Sequence, residues 1–245
     1  MKKRNQIAIT VVIAIIMLAC NALTQPSGGN EQPPTLPPAA TIPPAIPTVE
    51  VPPPQANTIF TDDFSVTSAE METYDGTDGS SGTANGIYFV RSIGDLWQWG
   101  RSASEFADTV IEVDVTMFEG PANNNVGFGV ICRLQEREDT SVDGYMLAIS
   151  ADGYYTIRSI VSSNMSPIVD WSYSDAINQG FQSNTLRATC NGSELSLEVN
   201  DQLVASGSAP ADGSTSGAIA FSAISFETDN PVAEVHFDNL IVSQP

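Results

Sequence analysis

A stretch of strict two-residue alternation constrains the fold of this chain more than any other feature. Between Asn184 and Ala205, apolar and polar side chains alternate in three short runs. A period of two is typical of β-strands that bury one face. Asn191-Gly192 and Asn200-Asp201 separate the runs, and these residue types tolerate the positive φ angles of tight hairpins. The pattern predicts an antiparallel meander whose apolar face must be buried against a second sheet.

Similar alternation recurs over residues 57–245, a length that fits one domain. The single helix candidate, residues 174–179, is too short and lacks an apolar stripe. Many short strands with turn residues between them indicate an all-β antiparallel sandwich of the jelly-roll type. Besides the meander, the predicted strands are residues 58–64, 86–91, 97–99, 109–118, 125–134, 144–150, 154–161, 217–224 and 233–242.

The N-terminal residues have the plan of an export signal. Three basic residues at positions 2–4 precede an apolar run over residues 7–19, which is too short to cross a bilayer core of roughly 30 Å. The run ends in Met17-Leu18-Ala19-Cys20, which resembles a bacterial lipobox with methionine where leucine is usual. The resemblance implies a signal peptide over residues 1–19 and a lipid on Cys20. An ordinary secretory signal that contains a cysteine is the alternative.

A proline-rich segment separates Cys20 from the predicted domain. Eleven of the sixteen prolines lie between Thr24 and Pro54, and no aromatic residue lies among them. This composition builds no core and favours an extended polyproline II path of about 3.1 Å per residue. Residues 20–56 are therefore predicted to be a lipidated, disordered stalk that holds the domain away from a membrane. A proline-rich ligand for a recognition domain is the alternative.

The charge of the chain excludes two classes of partner. After cleavage of the signal peptide, six arginines and no lysine remain against 29 acidic residues. Nucleic acids and anionic lipids bind to clustered positive charge, so neither is an expected partner. Membrane contact is expected only through the lipid anchor. The predicted location is extracytoplasmic, on the membrane or cell envelope of a bacterium.

Two cysteines remain beyond Cys20, and two thiols in an exported protein are usually paired. Cys132 and Cys190 each continue the apolar side of a predicted strand, so both are expected to face the core. The pattern predicts a disulfide between them. Two buried free thiols that pack as small apolar groups are the alternative.

A succession of short motifs spans nearly all of the predicted domain. It includes Asp62-Asp63-Phe64-Ser65, Gly127-Phe128-Gly129-Val130, Asp152-Gly153-Tyr154-Tyr155 and the closing Phe237-Asp238-Asn239. This succession resembles a bacterial branch of concanavalin A-like, laminin G-like domains. The resemblance implies a two-sheet jelly roll in which the first strand returns beside the last. Related domains include lectins, laminarinase-type β-glucanases and the 3-keto-disaccharide hydrolase-like domain, so the resemblance implies the fold and leaves the activity open.

The laminarinase-type enzymes carry three carboxylates on one strand in the pattern E-x-D-x-E, sometimes with one inserted residue. Glu112 and Asp114 match the first two positions, but Thr116, or Met117 with the insertion, stands third and cannot transfer a proton. Glu119 lies seven residues beyond Glu112, which places it on the opposite face of a regular strand. The enzyme mechanism is therefore not carried over. Glu112 and Asp114 are interpreted as a polar strand face that could bind sugar hydroxyls in a groove.

Paired aromatic residues are the best functional signal in the sequence. Trp97 and Trp99 are spaced by two, as are Trp171 and Tyr173, so the members of each pair share a face of extended backbone. Flat rings on one face can stack on sugars, whereas the alternative is that they fill or cover the core. The predicted ligand-binding residues are Trp97, Trp99, Glu112, Asp114, Arg133, Trp171 and Tyr173.

No cofactor is expected, and calcium is the one cofactor left open. The loop at residues 74–82 combines acids and glycines but lacks regular ligand spacing, so it is interpreted as a surface loop. Related sandwiches bind metal near the chain ends, which makes Asp62, Asp63 and Asp238 the alternative calcium residues. His236 is the only histidine, which gives little support to a zinc site or a catalytic triad.

These observations predict a lipid-anchored β-sandwich outside the cytoplasm that binds carbohydrate or another envelope ligand and catalyses no reaction. A glycoside hydrolase resembling 3-keto-disaccharide hydrolase is the main alternative, and it requires clustered acids in one groove. A protein-binding adhesin head is the third, and it requires an apolar patch without a groove.

Overall fold

The computed structural model describes residues 57–229 and 231–245. The signal peptide, Cys20 and the proline-rich segment lie outside the described residues, so these three predictions remain predictions. Within the described ranges there are fifteen β-strands and no helix. None of the described residues belongs to a helix long and apolar enough to cross a membrane.

The strands lie in chain order as follows. They are β1 (Thr58–Asp62), β2 (Tyr74–Asp75), β3 (Gly79–Ala84), β4 (Ile87–Ile93), β5 (Gln98–Phe106), β6 (Thr109–Glu119), β7 (Val126–Glu136), β8 (Val142–Ser150), β9 (Tyr154–Val161), β10 (Asn164–Tyr173), β11 (Asn184–Asn191), β12 (Glu194–Val199), β13 (Gln202–Ser208), β14 (Gly217–Ser225) and β15 (Val232–Ser243).

Two antiparallel sheets are formed by these strands. The large sheet has nine strands in the order β13-β12-β11-β6-β15-β4-β3-β2, with β1 also paired to β15. The small sheet has six strands in the order β10-β9-β8-β7-β14-β5. Asp62 of β1 lies opposite Leu240 of β15, so the first strand returns beside the last. The predicted all-β antiparallel sandwich is confirmed.

The core lies between the two sheets and follows the two-residue alternation. Val113 and Val115 of the large sheet face inward, as do Phe128 and Val130 of the small sheet, and all four are buried. The rings of Phe221 and Phe237, one from each sheet, stack with centroids 4.4 Å apart. Such interdigitated apolar faces hold a two-sheet sandwich together.

The predicted meander is confirmed as β11, β12 and β13. Asn200 and Asp201 have φ angles of 51° and 63°, and Gly192 has a φ of 54°. These left-handed conformations form the two tight turns, as the turn residues in the sequence predict. Leu186, Leu197 and their alternate neighbours point into the core.

The predicted disulfide between Cys132 and Cys190 is also confirmed. It joins β7 of the small sheet to β11 of the large sheet, with Cα atoms 6.7 Å apart. Both cysteines are fully buried. The bridge therefore fixes the two layers to each other at the end of the sandwich that carries the β11–β12 hairpin.

The strand prediction is incomplete at the sheet edges. β5 extends to Phe106, far beyond the predicted residues 97–99, and β2, β3 and β10 have no counterpart in the prediction. In the small sheet, β7 and β14 are buried along almost their whole length on both faces. The outer face of the small sheet must therefore be covered by other side chains.

Candidate functional site

A second apolar cluster lies on the outer face of the small sheet. Its floor is made of buried side chains, among them Met146, Ala148 and Ala220. Trp97, Trp99 and Trp171 pack over this floor and remain partly exposed. The alternative that the tryptophans cover apolar surface is thus correct in part. Their rings nevertheless present exposed surface to solvent on one side of the sandwich.

Five aromatic residues cross one end of this face, and we call them the aromatic row: Trp97, Phe226, Trp171, Tyr154 and Tyr173. The Phe226 ring lies 6.0 Å from the Trp97 ring and 5.9 Å from the Trp171 ring, nearly perpendicular to both. The Tyr154 and Tyr173 rings lie 5.7 Å apart. Such edge-to-face contacts are a favoured geometry of aromatic pairs, so each ring helps to fix its neighbour.

The strand pairing explains why these residues meet. Trp97 immediately precedes β5, Phe226 immediately follows β14, and β14 pairs antiparallel with β5. Gly127 of β7 lies beneath them, and a Cβ atom at that position would lie 2.9 Å from both the Trp97 and the Phe226 rings. Glycine is therefore needed at position 127 to admit the two rings.

Two pockets adjoin the aromatic row. The Tyr154 pocket, of about 290 Å³, is lined by Asn125, Ser150, Asp152, Tyr154, Trp171 and Phe226. The Trp99 pocket, of about 260 Å³, is lined by Glu72, Tyr74, Trp97, Gln98 and Trp99. Both combine rings with a few polar groups, which is the composition of small-molecule sites.

Charged groups lie beside the Trp99 pocket. Arg101 Nε lies 3.6 Å from Glu72 Oε2, and Arg101 Nη1 lies 3.3 Å from Glu136 Oε2. Burial raises the pKa of Glu72, and the nearby Arg101 lowers it in part. The Tyr74 hydroxyl donates to Gln98 Oε1 at 3.0 Å, and burial raises the pKa of Tyr74 to about 12. The pocket is therefore lined by a neutral phenol, an amide and the Glu72 carboxylate, and Glu72 shares the Arg101 guanidinium outside the pocket with Glu136.

The structure brings the predicted aromatic residues together but not the predicted carboxylates. Glu112 and Asp114 lie on the outer face of the large sheet, on the opposite side of the sandwich from the aromatic row. Asp114 accepts hydrogen bonds from Thr185 Oγ1 at 2.6 Å and Asn239 Nδ2 at 2.9 Å. Glu112 pairs with Arg187 at 3.3 Å. No concavity joins these two carboxylates to Trp97 in the described part of the chain.

Arg133 is placed where it supports the fold. It is 3% exposed, and its three guanidinium nitrogens donate to Ala107 O, Gly192 O and Asp108 Oδ1, each at 2.8 Å. Its positive φ of 54° coincides with an irregularity in the β7–β8 pairing. The predicted role of Arg133 in ligand contact therefore needs correction, because each guanidinium nitrogen already donates to a protein oxygen next to the disulfide.

The residues considered for calcium do not fit a metal site. Asp62 accepts hydrogen bonds from the Phe64 amide at 2.9 Å and the Ser68 hydroxyl at 2.6 Å, and Asp238 accepts one from the Asn239 amide. These carboxylates fix local turns. Within residues 57–229 and 231–245, no group of three or more His, Cys, Asp or Glu side chains is arranged to hold a metal ion.

Sequence reasoning missed several residues of this face. Phe226 follows β14 with no aromatic residue two positions away, Tyr154 begins β9, and Glu72 and Glu136 have other acids close by in the sequence, so no local pattern marks any of the four. Their partners are distant in sequence, since Glu136 meets Arg101 and Phe226 meets Trp97 only through strand pairing. A local pattern of two or three residues carries no signal for such contacts.

Comparison with known proteins identifies the fold. No protein-family model matches the chain, and no curated protein matches it either. A Bacillus subtilis protein of unknown function with a galectin-like fold aligns with a TM-score of 0.56 at 9% identity, over 77% of this chain and 96% of that one. The Bacillus licheniformis β-glucanase aligns with a TM-score of 0.54 at 11% identity, over 78% and 100%.

A LamA variant from Z. galactanivorans, solved in complex with laminaritriose and laminaritetraose, aligns with a TM-score of 0.52 at 10% identity, over 77% of this chain and 99% of that one. At such identities, structural likeness identifies the fold and not the activity. The chain has the concanavalin A-like, glucanase-like β-sandwich fold that the motifs predict.

Proposed function

We propose that this protein is a non-catalytic carbohydrate-binding module that is held outside the cytoplasm of a bacterium by a lipid on Cys20. The aromatic row is the observation that carries the proposal. Tyr154 and Phe226 are 40% and 38% exposed, and the three tryptophans are partly exposed beside them. The apolar face of a pyranose stacks on such rings, while its hydroxyls bind polar groups at their edges.

The polar groups beside the rings suit sugar hydroxyls. Gln98 and Glu72 line the Trp99 pocket, and Asn125 and Ser150 line the Tyr154 pocket. A carboxylate can accept hydrogen bonds from several sugar hydroxyls, and a side-chain amide can both donate and accept. A fold neighbour was solved with laminaritriose and laminaritetraose, so β-glucan oligosaccharides are the first ligands to test.

Absence of catalysis is proposed because the E-x-D-x-E pattern is incomplete and its two remaining carboxylates lie on the sheet opposite the rings. An adhesin without a groove fits less well, because two pockets adjoin the aromatic row. A shallow site of this kind gives a dissociation constant on the order of 0.1 to 1 mM.

Calorimetry with laminaritetraose and a multivalent glycan array test the proposal. The double variant Trp97→Ala with Trp99→Ala should weaken binding about tenfold or more, since stacking rings dominate such sites. Glu112→Gln with Asp114→Asn is the matched control on the opposite sheet and should leave binding unchanged. Unchanged binding in the tryptophan variant, or loss of binding in the control, would contradict the proposed face.

A glycoside hydrolase remains the second candidate, and one observation favours it. Glu72 and Glu136 both approach Arg101 beside Trp99, and burial raises the pKa of Glu72. Two carboxylates, one with a raised pKa, are what glycosidic bond cleavage requires. Release of reducing sugar that disappears in Glu72→Gln and persists in Glu112→Gln would select the enzyme over the binding module.

A further inference from the structure

We propose that the Tyr154 pocket binds an alkylammonium group, such as the cation of a choline headgroup or of an amino sugar. This inference goes beyond neutral sugar binding and does not depend on it. Three aromatic rings and a carboxylate converge on one small cavity, which is the arrangement that recognises organic cations. Phe226 and Tyr154 contact further rings outside the cavity, and Asp152 accepts a hydrogen bond from the lining residue Ser150.

Two walls of the pocket are rings at a right angle. The planes of Trp171 and Phe226 are inclined by 85°, with centroids 5.9 Å apart. Phe226 is held from its other side by Trp97. The negative face of an aromatic ring attracts an ammonium group within about 6 Å of its centroid. A cation in this corner can thus contact two rings at once.

The third ring, Tyr154, is supported from behind. Tyr173 lies against it, and the Tyr173 hydroxyl accepts a hydrogen bond from Gln179 Nε2 at 3.1 Å. Gly153 makes room for the Tyr173 ring, because a Cβ atom at position 153 would lie 2.8 Å from Tyr173 Cε2. The pocket is therefore built before a ligand arrives, which lowers the entropic cost of binding.

One carboxylate lines the pocket, and a second one is bound to the lining residue Asn125. Asp152 lines the cavity, and its carboxylate accepts a hydrogen bond from the Ser150 hydroxyl. Glu227 follows Phe226 and accepts hydrogen bonds at 2.8 Å from the side chains of Asn125 and Asn123. These amides lower the pKa of Glu227, so it is ionised at neutral pH.

None of the six lining residues is basic. The lining carboxylate of Asp152, with Glu227 bound to Asn125 and no lining cation, disfavours phosphate, sulfate or uronate groups and favours a positive ligand. A neutral sugar would gain binding free energy by stacking on the rings but would gain none from attraction to the carboxylates. Charge dependence therefore separates the proposed ligand class from ordinary ring stacking.

Calorimetry on the intact protein with choline chloride and with 3,3-dimethylbutan-1-ol tests the charge, because the alcohol has the same shape without the cation. Glucosamine and N-acetylglucosamine provide the same contrast on a sugar. The cationic member of each pair should bind about tenfold more tightly, and added salt should weaken it. Equal binding within both pairs would overturn the proposal and assign the pocket to neutral stacking.

Two variants test the residues. Phe226→Leu keeps apolar volume but removes a ring, and Asp152→Asn keeps the shape of the turn but removes a charge. Both should weaken choline binding about tenfold. Glu112→Gln on the opposite sheet is the matched charge control and should leave it unchanged. Undiminished choline binding in the double variant Asp152→Asn with Glu227→Gln would overturn the proposal. Circular dichroism verifies that each variant is folded.

The two functional proposals fail separately. Trp99→Ala should weaken laminaritetraose binding and leave choline binding intact, since Trp99 does not line the Tyr154 pocket. Choline binding without any binding of neutral glucan would refute only the glucan proposal. Phosphatidylcholine vesicles and chitosan oligosaccharides then distinguish the source of the cation: retention on vesicles indicates a lipid headgroup, and retention on chitosan indicates an amino sugar.

Discussion

Arg133 is a charged residue in the interior of the sandwich, and its hydrogen-bond partners offset the cost of burying its charge. The guanidinium donates to two backbone carbonyls and to Asp108, which also accepts from the Gly192 amide. A buried charge is stable only when its hydrogen bonds are satisfied. The side chain therefore links the β5–β6 turn to the β11–β12 hairpin.

Replacement of this arginine should cost stability rather than binding. Arg133→Met should lower the free energy of unfolding by about 2 kcal/mol, because two backbone carbonyls lose their donor and the half-exposed Asp108 carboxylate keeps only the Gly192 amide. Urea denaturation measures the change. Arg187→Met is the matched control, since the exposed pair of Arg187 with Glu112 contributes roughly 0.5 kcal/mol or less. If Arg133→Met unfolds at the normal urea concentration but no longer binds the ligand, Arg133 is a ligand-binding residue, as the sequence predicts.

Gly127 controls the aromatic row from below. Gly127→Ala should displace the Trp97 and Phe226 rings, weaken ligand binding and lower stability by about 1 to 3 kcal/mol, since overpacking forces rings from their places. Thermal unfolding and calorimetry measure the two effects. Gly82→Ala is the control, because its Cβ would lie 3.0 Å from Thr73 Cγ2, away from the row. Equal effects of both variants on binding would contradict the role of Gly127.

At the residue scale, sequence reasoning identifies pairs but not sites. The spacing of Trp97 with Trp99 is a local signal, and it correctly predicts that their rings lie on one face. The position of Glu112 on the opposite sheet follows from strand order, which is set by pairing between distant segments. Local alternation predicts that a residue faces outward, but it does not predict which of the two sheets the residue belongs to.

At the scale of elements, the bridge between β7 and β11 joins the two layers. Reduction of the disulfide, or Cys132→Ala with Cys190→Ala, should lower the free energy of unfolding by about 4 kcal/mol in the chain-entropy model for a separation of 58 residues. Denaturant unfolding with and without reductant measures the loss. An unchanged unfolding midpoint after verified reduction would show that packing alone holds the layers together.

Tyr74 in the short strand β2 makes the free energy of unfolding fall as the pH rises in the alkaline range. Burial raises the pKa of Tyr74 from 10.0 to about 12, so the folded state keeps a proton that the unfolded state releases. The stabilising contribution is complete below pH 10 and is lost as the pH rises towards 12. Buried Tyr88 acts in the same direction, because burial raises its pKa as well.

Tyr74→Phe should therefore flatten the fall in stability between about pH 10 and pH 12. Thermal melting across this range measures the slope. A steep fall that persists in Tyr74→Phe would assign the alkaline transition to other groups, such as Tyr88.

The strands that sequence analysis missed have weak apolar patterns for physical reasons. β10 is an edge strand that contains Pro167 and has two irregularities in its pairing with β9, so its alternation is broken. β3 consists of small residues, and a Cβ atom on Gly79 would lie 2.6 Å from the Gln98 side chain. Close packing at that position excludes the larger residues that mark a strand.

At the scale of the whole molecule, both outer faces carry ion pairs, and the aromatic row distinguishes the outer face of the small sheet. The outer face of the large sheet carries ion pairs, such as Arg91 with Glu119 at 2.7 Å and with Glu234 at 2.6 Å. The outer face of the small sheet carries the aromatic row. Sequence analysis could predict a sandwich from alternation, but β7 and β14 are apolar on both faces, and their pattern does not reveal what covers them.

The proposed lipid anchor can be tested in the native organism or a bacterial host. Mass spectrometry of the membrane fraction should detect an acylated peptide that begins at Cys20, because the lipobox-like motif ends there. Cys20→Ser should move the protein to the soluble fraction. If the protein with Cys20 intact is cleaved at another position and is found in the soluble fraction, the ordinary secretory signal is supported.

The pairing of β1 with β15 determines how the sandwich responds to mechanical load. Tension that arrives through the chain before Asn57 enters the domain at β1, where Thr58–Asp62 lies antiparallel to the last strand and the Gln244 amide donates to Asn57 O. Tension along the strand axis loads these backbone hydrogen bonds in shear, so several must break together. The rupture force of the domain is then set by its first and last strands, while the aromatic row lies on the other sheet.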